Sequence, residues 1–188
     1  MFEAIDKTWT LFLDRDGVIN ERIPGQYISK VEDLKLTPGC RQAIASFNFY
    51  FGNIVVVTNQ AGISKGLTTP EQLNNVHNHI ADELKRFHAR VHKFYHCPDL
   101  ANTNSPCRKP AVGMGHQAQK DFPQIDFSKS IMVGDSHSDM EFGKALGMKC
   151  ILIEGKKEEE ELLKDYPTEG RYQNLFEFAH AINEHQDI

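Results

Sequence analysis

One pattern constrains this chain more than any other. A short, unbroken apolar run stops abruptly in a polar loop, an amphipathic stretch follows, and the unit then recurs. Trp9-Thr10-Leu11-Phe12-Leu13 ends in Asp14-Arg15-Asp16-Gly17, and Ile54 to Val57 ends in Thr58-Asn59-Gln60-Ala61-Gly62. Further runs of strand length span Val91 to Tyr95, Ser130 to Val133 and Lys149 to Ile153. Between them the apolar residues recur at helical spacing. Cys40, Ile44, Phe47 and Phe51 form one stripe, and Leu73, Val76, Ile80, Leu84 and Phe87 form another. Thr69-Pro70-Glu71-Gln72 reads as a capped start to the second helix, with Thr69 as cap and Pro70 at the first helical position. Helices are also predicted near Gly113 to Asp121, Ser138 to Leu146 and Asn174 to Asn183. Strands apolar on both faces, alternating with helices, are the mark of a parallel sheet covered on both sides. The expected fold class is therefore α/β, a doubly wound, Rossmann-like parallel sheet of five main strands. At roughly 150 residues per domain, residues 1–188 are expected to form a single domain.

In such a fold, ligands bind at the carboxyl ends of the strands, so the polar loops after the first, second and fourth strands should converge. Asp14 and Asp16 stand two apart at the mouth of a buried strand, where their charges repel unless a cation neutralises them. Gly134-Asp135-Ser136-His137-Ser138-Asp139 brings two more carboxylates to the end of the fourth strand. Asp14, Asp16, Asp135 and Asp139 together suit magnesium, which takes hard oxygen ligands. Asp139 has a second reading as the cap of the following helix. Thr58 and Asn59 offer donors to an anion, and Arg108-Lys109-Pro110 offers two cations on a stiffened loop. The set describes a phosphate held between magnesium and a lysine, with a carboxylate positioned to attack phosphorus.

Composition excludes competing classes. The net charge is −5, which leaves no basic footprint for nucleic acid or an anionic membrane. No apolar run approaches the roughly 20 residues of a membrane span. The start, Met1-Phe2-Glu3-Ala4-Ile5-Asp6, lacks the features of a signal peptide, so a cytoplasmic location is expected. The four cysteines are scattered, which fits a reducing compartment; Cys40 and Cys150 read as buried thiols. His77 and His79, and His88 and His92, are spaced wrongly for ligand pairs and read as solvated side chains. Lys156-Lys157-Glu158-Glu159-Glu160-Glu161 reads as a solvated helix start or loop. No unpaired apolar stripe calls for a partner, so a monomer is expected.

Asp14-Arg15-Asp16-Gly17-Val18-Ile19-Asn20, Val57-Thr58-Asn59-Gln60-Ala61-Gly62, Cys107-Arg108-Lys109-Pro110 and Gly134-Asp135-Ser136-His137-Ser138-Asp139 resemble, in order, the four motifs of the haloacid dehalogenase (HAD) superfamily. The nearer likeness, over roughly residues 8 to 155, is to its branch of heptose-bisphosphate and histidinol-phosphate phosphatases. The resemblance implies a phosphosugar phosphatase serving cell-surface polysaccharide (lipopolysaccharide) synthesis. Asp14 would be the nucleophile and Asp16 the general acid and base. Magnesium would be held by Asp14, the Asp16 carbonyl and Asp135, with Asp139 aiding or holding Lys109. Thr58, Asn59 and Lys109 would bind the transferring phosphate, and Arg108 the rest of the substrate. Large cap insertions are lacking, so the excursion after the first strand and the loop at 98–110 would wall the pocket. The branch's zinc loop is degenerate here, as Cys97-Pro98-Asp99 and Ser105-Pro106-Cys107 keep two of four soft ligands. A metal-free loop stiffened by Pro98 and Pro106 is the reading adopted. Histidinol phosphate is the runner-up substrate, a nucleic-acid 3′-phosphate is third, and a non-catalytic phospho-ligand binding module is the alternative of a different class.

Overall fold

The computed structural model describes residues 5–186, so Met1-Phe2-Glu3-Ala4, on which part of the reading about export rests, lie outside the described residues. Among the described residues six parallel strands form one sheet: β1 (Thr10–Leu13), β2 (Asn53–Asn59), β3 (Lys93–Cys97), β4 (Ser130–Gly134), β5 (Lys149–Ile153) and β6 (Gly170–Tyr172). Their spatial order is β3-β2-β1-β4-β5-β6. The chain winds outward from β1 in one direction and then from β4 in the other. The topological switch point therefore lies between β1 and β4, where this class of sheet opens a crevice for ligands.

The helices are α1 (Cys40–Tyr50), α2 (Pro70–Lys85), α3 (Gly113–Asp121), α4 (His137–Ala145), α5 (Glu160–Leu163) and α6 (Leu175–Gln186). Alternate strand residues feed two cores, which explains the unbroken apolar runs. Leu11, Leu13, Ile54, Val56, Ile131 and Val133 belong to one core with Ile44 and Phe47 of α1 and Phe178 of α6. Phe12, Val55, Val57 and Met132 belong to the other with Met114 and Ala118 of α3 and Phe142 of α4. Each such side chain, wholly withdrawn from water, contributes roughly 1.5–3 kcal/mol of transfer free energy.

Three expectations need correction. The sheet has a sixth strand, because Gly170-Arg171-Tyr172 pairs with Ile151 to Ile153 at the edge; three residues are too few to show a period. The third strand runs from Lys93 to Cys97 rather than from Val91, since its register is set by pairing with Val55 to Asn59 of β2. Phe87 leaves the apolar stripe of α2, which ends at Lys85, and is 46% exposed beneath the Arg41 guanidinium. The start of α2 is as read, with Thr69 and Gln72 forming a reciprocal capping box behind Pro70. The tail joins the fold through α6, whose Phe178 ring lies 5.3 Å from that of Phe47. The acidic run supplies a single 3-10 turn (Lys157–Glu159) and the start of α5.

Candidate active site

The ends of β1, β2 and β4, with the connection from β3 to α3, bring the four motifs to one place. Asp14 leaves β1 with its amide bonded to the Val133 carbonyl of β4 (2.9 Å), which sets the carboxylate at the switch point. Asp14, Asp16, Thr58, Asn59, Arg108, Lys109 and Asp139 all line a cavity of about 200 Å³. Acceptor oxygens of Asp14, Asp135 and Asp139 lie within 4.8 Å of one another, and all three residues are buried.

Two glycines make this crowding possible. At Gly17, with φ +95°, a Cβ would fall 2.0 Å from Asp135 Oδ2. A Cβ on Gly134 would fall 2.2 Å from that of Asp139. Both strand-end turns close only without a side chain.

Lys109 is the central cation. Its Nζ donates to Asp14 Oδ1 (2.8 Å), Asp139 Oδ1 (2.5 Å) and the Val57 carbonyl (2.6 Å). Burial alone would lower its pKa, but the two aspartates more than reverse that and hold the ammonium charged. Asp139 gives its other oxygen to the Ser136 amide and hydroxyl in a capping box at the start of α4. Both of its oxygens are thus engaged in holding Lys109 and starting the helix. Asn59 likewise turns inward. Its amide donates to the Lys109 carbonyl and accepts from the Lys109 amide, at 3.0 Å each, which ties the 98–112 loop to β2. The Thr58 hydroxyl accepts from Gln60 (2.9 Å) and retains a proton to donate. Arg108 Nη1 is anchored on the Asp99 carbonyl at 3.0 Å.

The electrostatics divide the carboxylates. Burial pushes the Asp14 carboxyl up to about 6, with Lys109 opposing and Asp139 and Asp16 adding to the rise. Burial likewise pushes Asp135 up to about 7, helped by Asp14 and opposed by Arg22. For Asp16, burial is outweighed by the Arg15 guanidinium and by hydrogen bonds from Asn20, Arg15 and Gln60, which hold it below the usual range. Asp14, Asp135 and Asp139 outnumber the two cations paired with them, Lys109 and Arg22, and the cluster offers only hard oxygens. That donor set fits magnesium; Asp14, Asp135 and the Asp16 carbonyl would hold it, with Asp139 behind through Lys109.

Several functional side chains escape sequence reasoning. Arg15 is fully buried and donates to Asp16 Oδ1 at 2.9 Å. Gln60 donates to Asp16 Oδ2 at 2.7 Å and Asn20 to Asp16 Oδ1 at 3.0 Å. Arg22 bonds Asp135. Arg15, Asn20 and Gln60 stand within the motifs quoted above, but nothing local shows that all three turn to Asp16. His77 also needs correction: it is 6% exposed rather than solvated. It stacks on Phe94 at 4.6 Å and lies 3.3 Å from Arg15 Nη1. Burial, then the charges of Arg15 and His96, push its pKa down to about 3. The unfolded chain therefore takes up a proton before the folded one. Stability from neutral His77 is complete above about pH 6.5 and is lost as pH falls toward 3. Between pH 7.5 and 5.5, the wild type is expected to lose about 1.4 kcal/mol more than His77→Gln, which keeps an acceptor but does not titrate. Urea unfolding of both proteins at the two pH values checks this.

Cys97 and Cys107 are joined in a disulfide, against the expectation of unlinked cysteines. β3 ends at Cys97, and the turn before Arg108 brings Cys107 back beside it. Asp99 Oδ2 lies 3.8 and 3.6 Å from the two sulfurs. Cys40 and Cys150 are free and buried, and burial pushes each thiol up to about 12. No helix among the described residues is long and apolar enough to cross a membrane.

A doubly wound sheet with paired aspartates after β1, a lysine locked between carboxylates and acidic residues after β4 defines the HAD-type hydrolases. A HAD-hydrolase-like family profile matches residues 106–175. The D-glycero-alpha-D-manno-heptose-1,7-bisphosphate 7-phosphatase of Photorhabdus laumondii is 34% identical over 156 residues, covering 79% of this chain and 84% of that one. The enzyme of the same name from Campylobacter jejuni is 33% identical over 175 residues, covering 90% and 96%. The crystal structure of D,D-heptose 1,7-bisphosphate phosphatase from B. bronchiseptica, complexed with magnesium and phosphate, superimposes with a TM-score of 0.83. It is 25% identical and covers 94% of this chain and 99% of that one. The chain belongs to the HAD-like phosphatases and, within them, to the heptose-bisphosphate 7-phosphatase family.

Proposed function

We propose that this chain is a magnesium-dependent cytoplasmic phosphatase that removes the 7-phosphate of D-glycero-D-manno-heptose 1,7-bisphosphate, serving the synthesis of cell-surface polysaccharide. The observation that carries the reading is the contact of Lys109 Nζ with Asp14 Oδ1 at 2.8 Å, beside Asp16 in one cavity. A binding module has no use for both a nucleophile and an acid there. The further cations lining the cavity, Arg22, Arg108 and Lys156, exceed what one phosphate needs and suit a bisphosphate.

Asp14 attacks phosphorus with a carboxylate oxygen, an aspartyl-phosphate forms, and the bond to the sugar oxygen breaks. Asp16 gives its proton to the departing alkoxide. It then takes a proton from the water that attacks the aspartyl-phosphate, and inorganic phosphate leaves with Asp14 restored. In the free protein Asp16 is held ionised; a phosphate dianion beside it raises its pKa, so that it can carry the proton the first step needs. Bound magnesium supplies charge to the transferring oxygens. Lys109 and Thr58 bind those oxygens. Asn59 fixes the Lys109 backbone, and Arg108 reaches the remainder of the substrate.

A phosphate-release panel tests this, with both anomers of the heptose bisphosphate, histidinol phosphate and p-nitrophenyl phosphate. The heptose bisphosphate is expected to lead histidinol phosphate by about 10²-fold or more in kcat/KM, since it alone fills the further cation sites. The reverse order would make the chain a histidinol-phosphate phosphatase, and no turnover of any ester would leave only a phospho-ligand binder. Asp16→Asn is expected to lower kcat by about 10²–10⁴-fold, the range for a lost general acid and base.

A further inference from the structure

One of the cavity's further cations, counted above among those that suit a bisphosphate, is held elsewhere in this structure. Arg22 Nη2 donates to both oxygens of Asp135, at 2.8 and 2.7 Å, and to the backbone carbonyl of Asp16 at 2.9 Å. Asp135 and the Asp16 carbonyl are the groups assigned above to magnesium. One guanidinium nitrogen thus sits among three of the oxygens that a divalent cation would need. The two cannot be present together, because each fills the space between the same acceptors.

The partners differ in freedom. The Asp135 side chain is 5% exposed and that of Arg22 is 38% exposed. Asp135 follows β4 directly, whereas Arg22 belongs to the connection between β1 and α1, two residues before Pro24-Gly25. If the pair parts, it is therefore the guanidinium that moves. Arg22 also lines the cavity that holds Lys109, Arg108 and Lys156, so a released guanidinium stays at its mouth.

We propose that Arg22 is a specificity residue with two stations: it neutralises Asp135 while magnesium is absent and, displaced when the cation takes those oxygens, turns to the second phosphate of a bisphosphate substrate. The proposal rests on the phosphatase reading and deepens it. Cation binding must break a charge-assisted pair whose acid is buried. A second phosphate offsets that cost by giving the guanidinium a new partner, and a monophosphate does not. Magnesium and a bisphosphate therefore favour each other's binding, and the coupling is reciprocal.

Calorimetric titration of magnesium chloride into the substrate-free wild type and Arg22→Gln reads the first station. The variant is expected to bind magnesium about tenfold more tightly, having no arginine to displace. The second station is read by the ratio of kcat/KM for heptose 1,7-bisphosphate to that for p-nitrophenyl phosphate, which is expected to fall about tenfold in Arg22→Gln. Arg22→Lys, which keeps the charge, is expected to lie nearer the wild type in both. Equal magnesium affinity in the wild type and Arg22→Gln overturns the first station. An unchanged ratio overturns the second. In either case the phosphatase reading stands. Absence of magnesium binding by both proteins overturns the proposal together with the cation reading beneath it.

Discussion

Asp14→Asn is expected to leave a folded protein whose phosphate release is lower by about 10⁴-fold or more, the scale at which losing a covalent nucleophile is felt. A carboxamide has the shape of the carboxylate but does not attack phosphorus. The fold should tolerate the change. The Asp14 carboxyl is pushed up to about 6 by burial, so removing its charge relieves a desolvation cost, and the amide oxygen still accepts from Lys109, without the charge, as one of three acceptors around it. Circular dichroism and thermal melting check the fold, and single-turnover phosphate release with the heptose bisphosphate checks the chemistry. Activity within tenfold of the wild type would remove Asp14 from the nucleophile's role.

The second large effect falls on stability as well as turnover. Lys109 is 3% exposed and its ammonium stands between Asp14, Asp139 and the Val57 carbonyl. Lys109→Met preserves most of the side-chain volume and deletes the charge. Two buried carboxylates then lose their common partner, and breaking one side of a buried ion pair costs about 3–5 kcal/mol. Urea unfolding at pH 7.5 should show a loss of that size. Magnesium should recover part of it, because the cation can neutralise Asp14. Turnover is expected to fall about 10³-fold even in the folded fraction, since the transferring oxygens lose a fixed cation. A variant as stable as the wild type would mean that the aspartates find compensation elsewhere.

The parts of the fold that were legible beforehand depend on local regularities. Thr69, Pro70 and Gln72 announce the start of α2 because capping is settled within four residues. The apolar runs of β1, β2, β4 and β5 announce a covered parallel sheet because both of their faces are buried. The strand-end loops announce a site because four carboxylates, a lysine and a hydroxyl there have no packing rationale. β6 was not legible, since three half-buried residues carry no period. The role of His77 was hidden for another reason. It lies on the buried face of α2, and only the approach of β1 and β3 shows that the face meets Arg15 and Phe94 rather than solvent.

What the sequence by itself determined is the kind of sheet, the order of its motifs and the residue types delivered to its carboxyl edge, because strand alternation, helix period and capping are read over a few neighbouring residues. What the tertiary structure alone decided is which partner each of those residues takes. Asn59 spends its amide on the Lys109 backbone, 50 residues away. Asp139 divides its oxygens between Lys109, 30 residues away, and the start of its own helix. Arg22 lies on Asp135, 113 residues away. Such pairings depend on strand order and on burial, which set distance and dielectric together, and neither quantity is written in any local stretch of the chain.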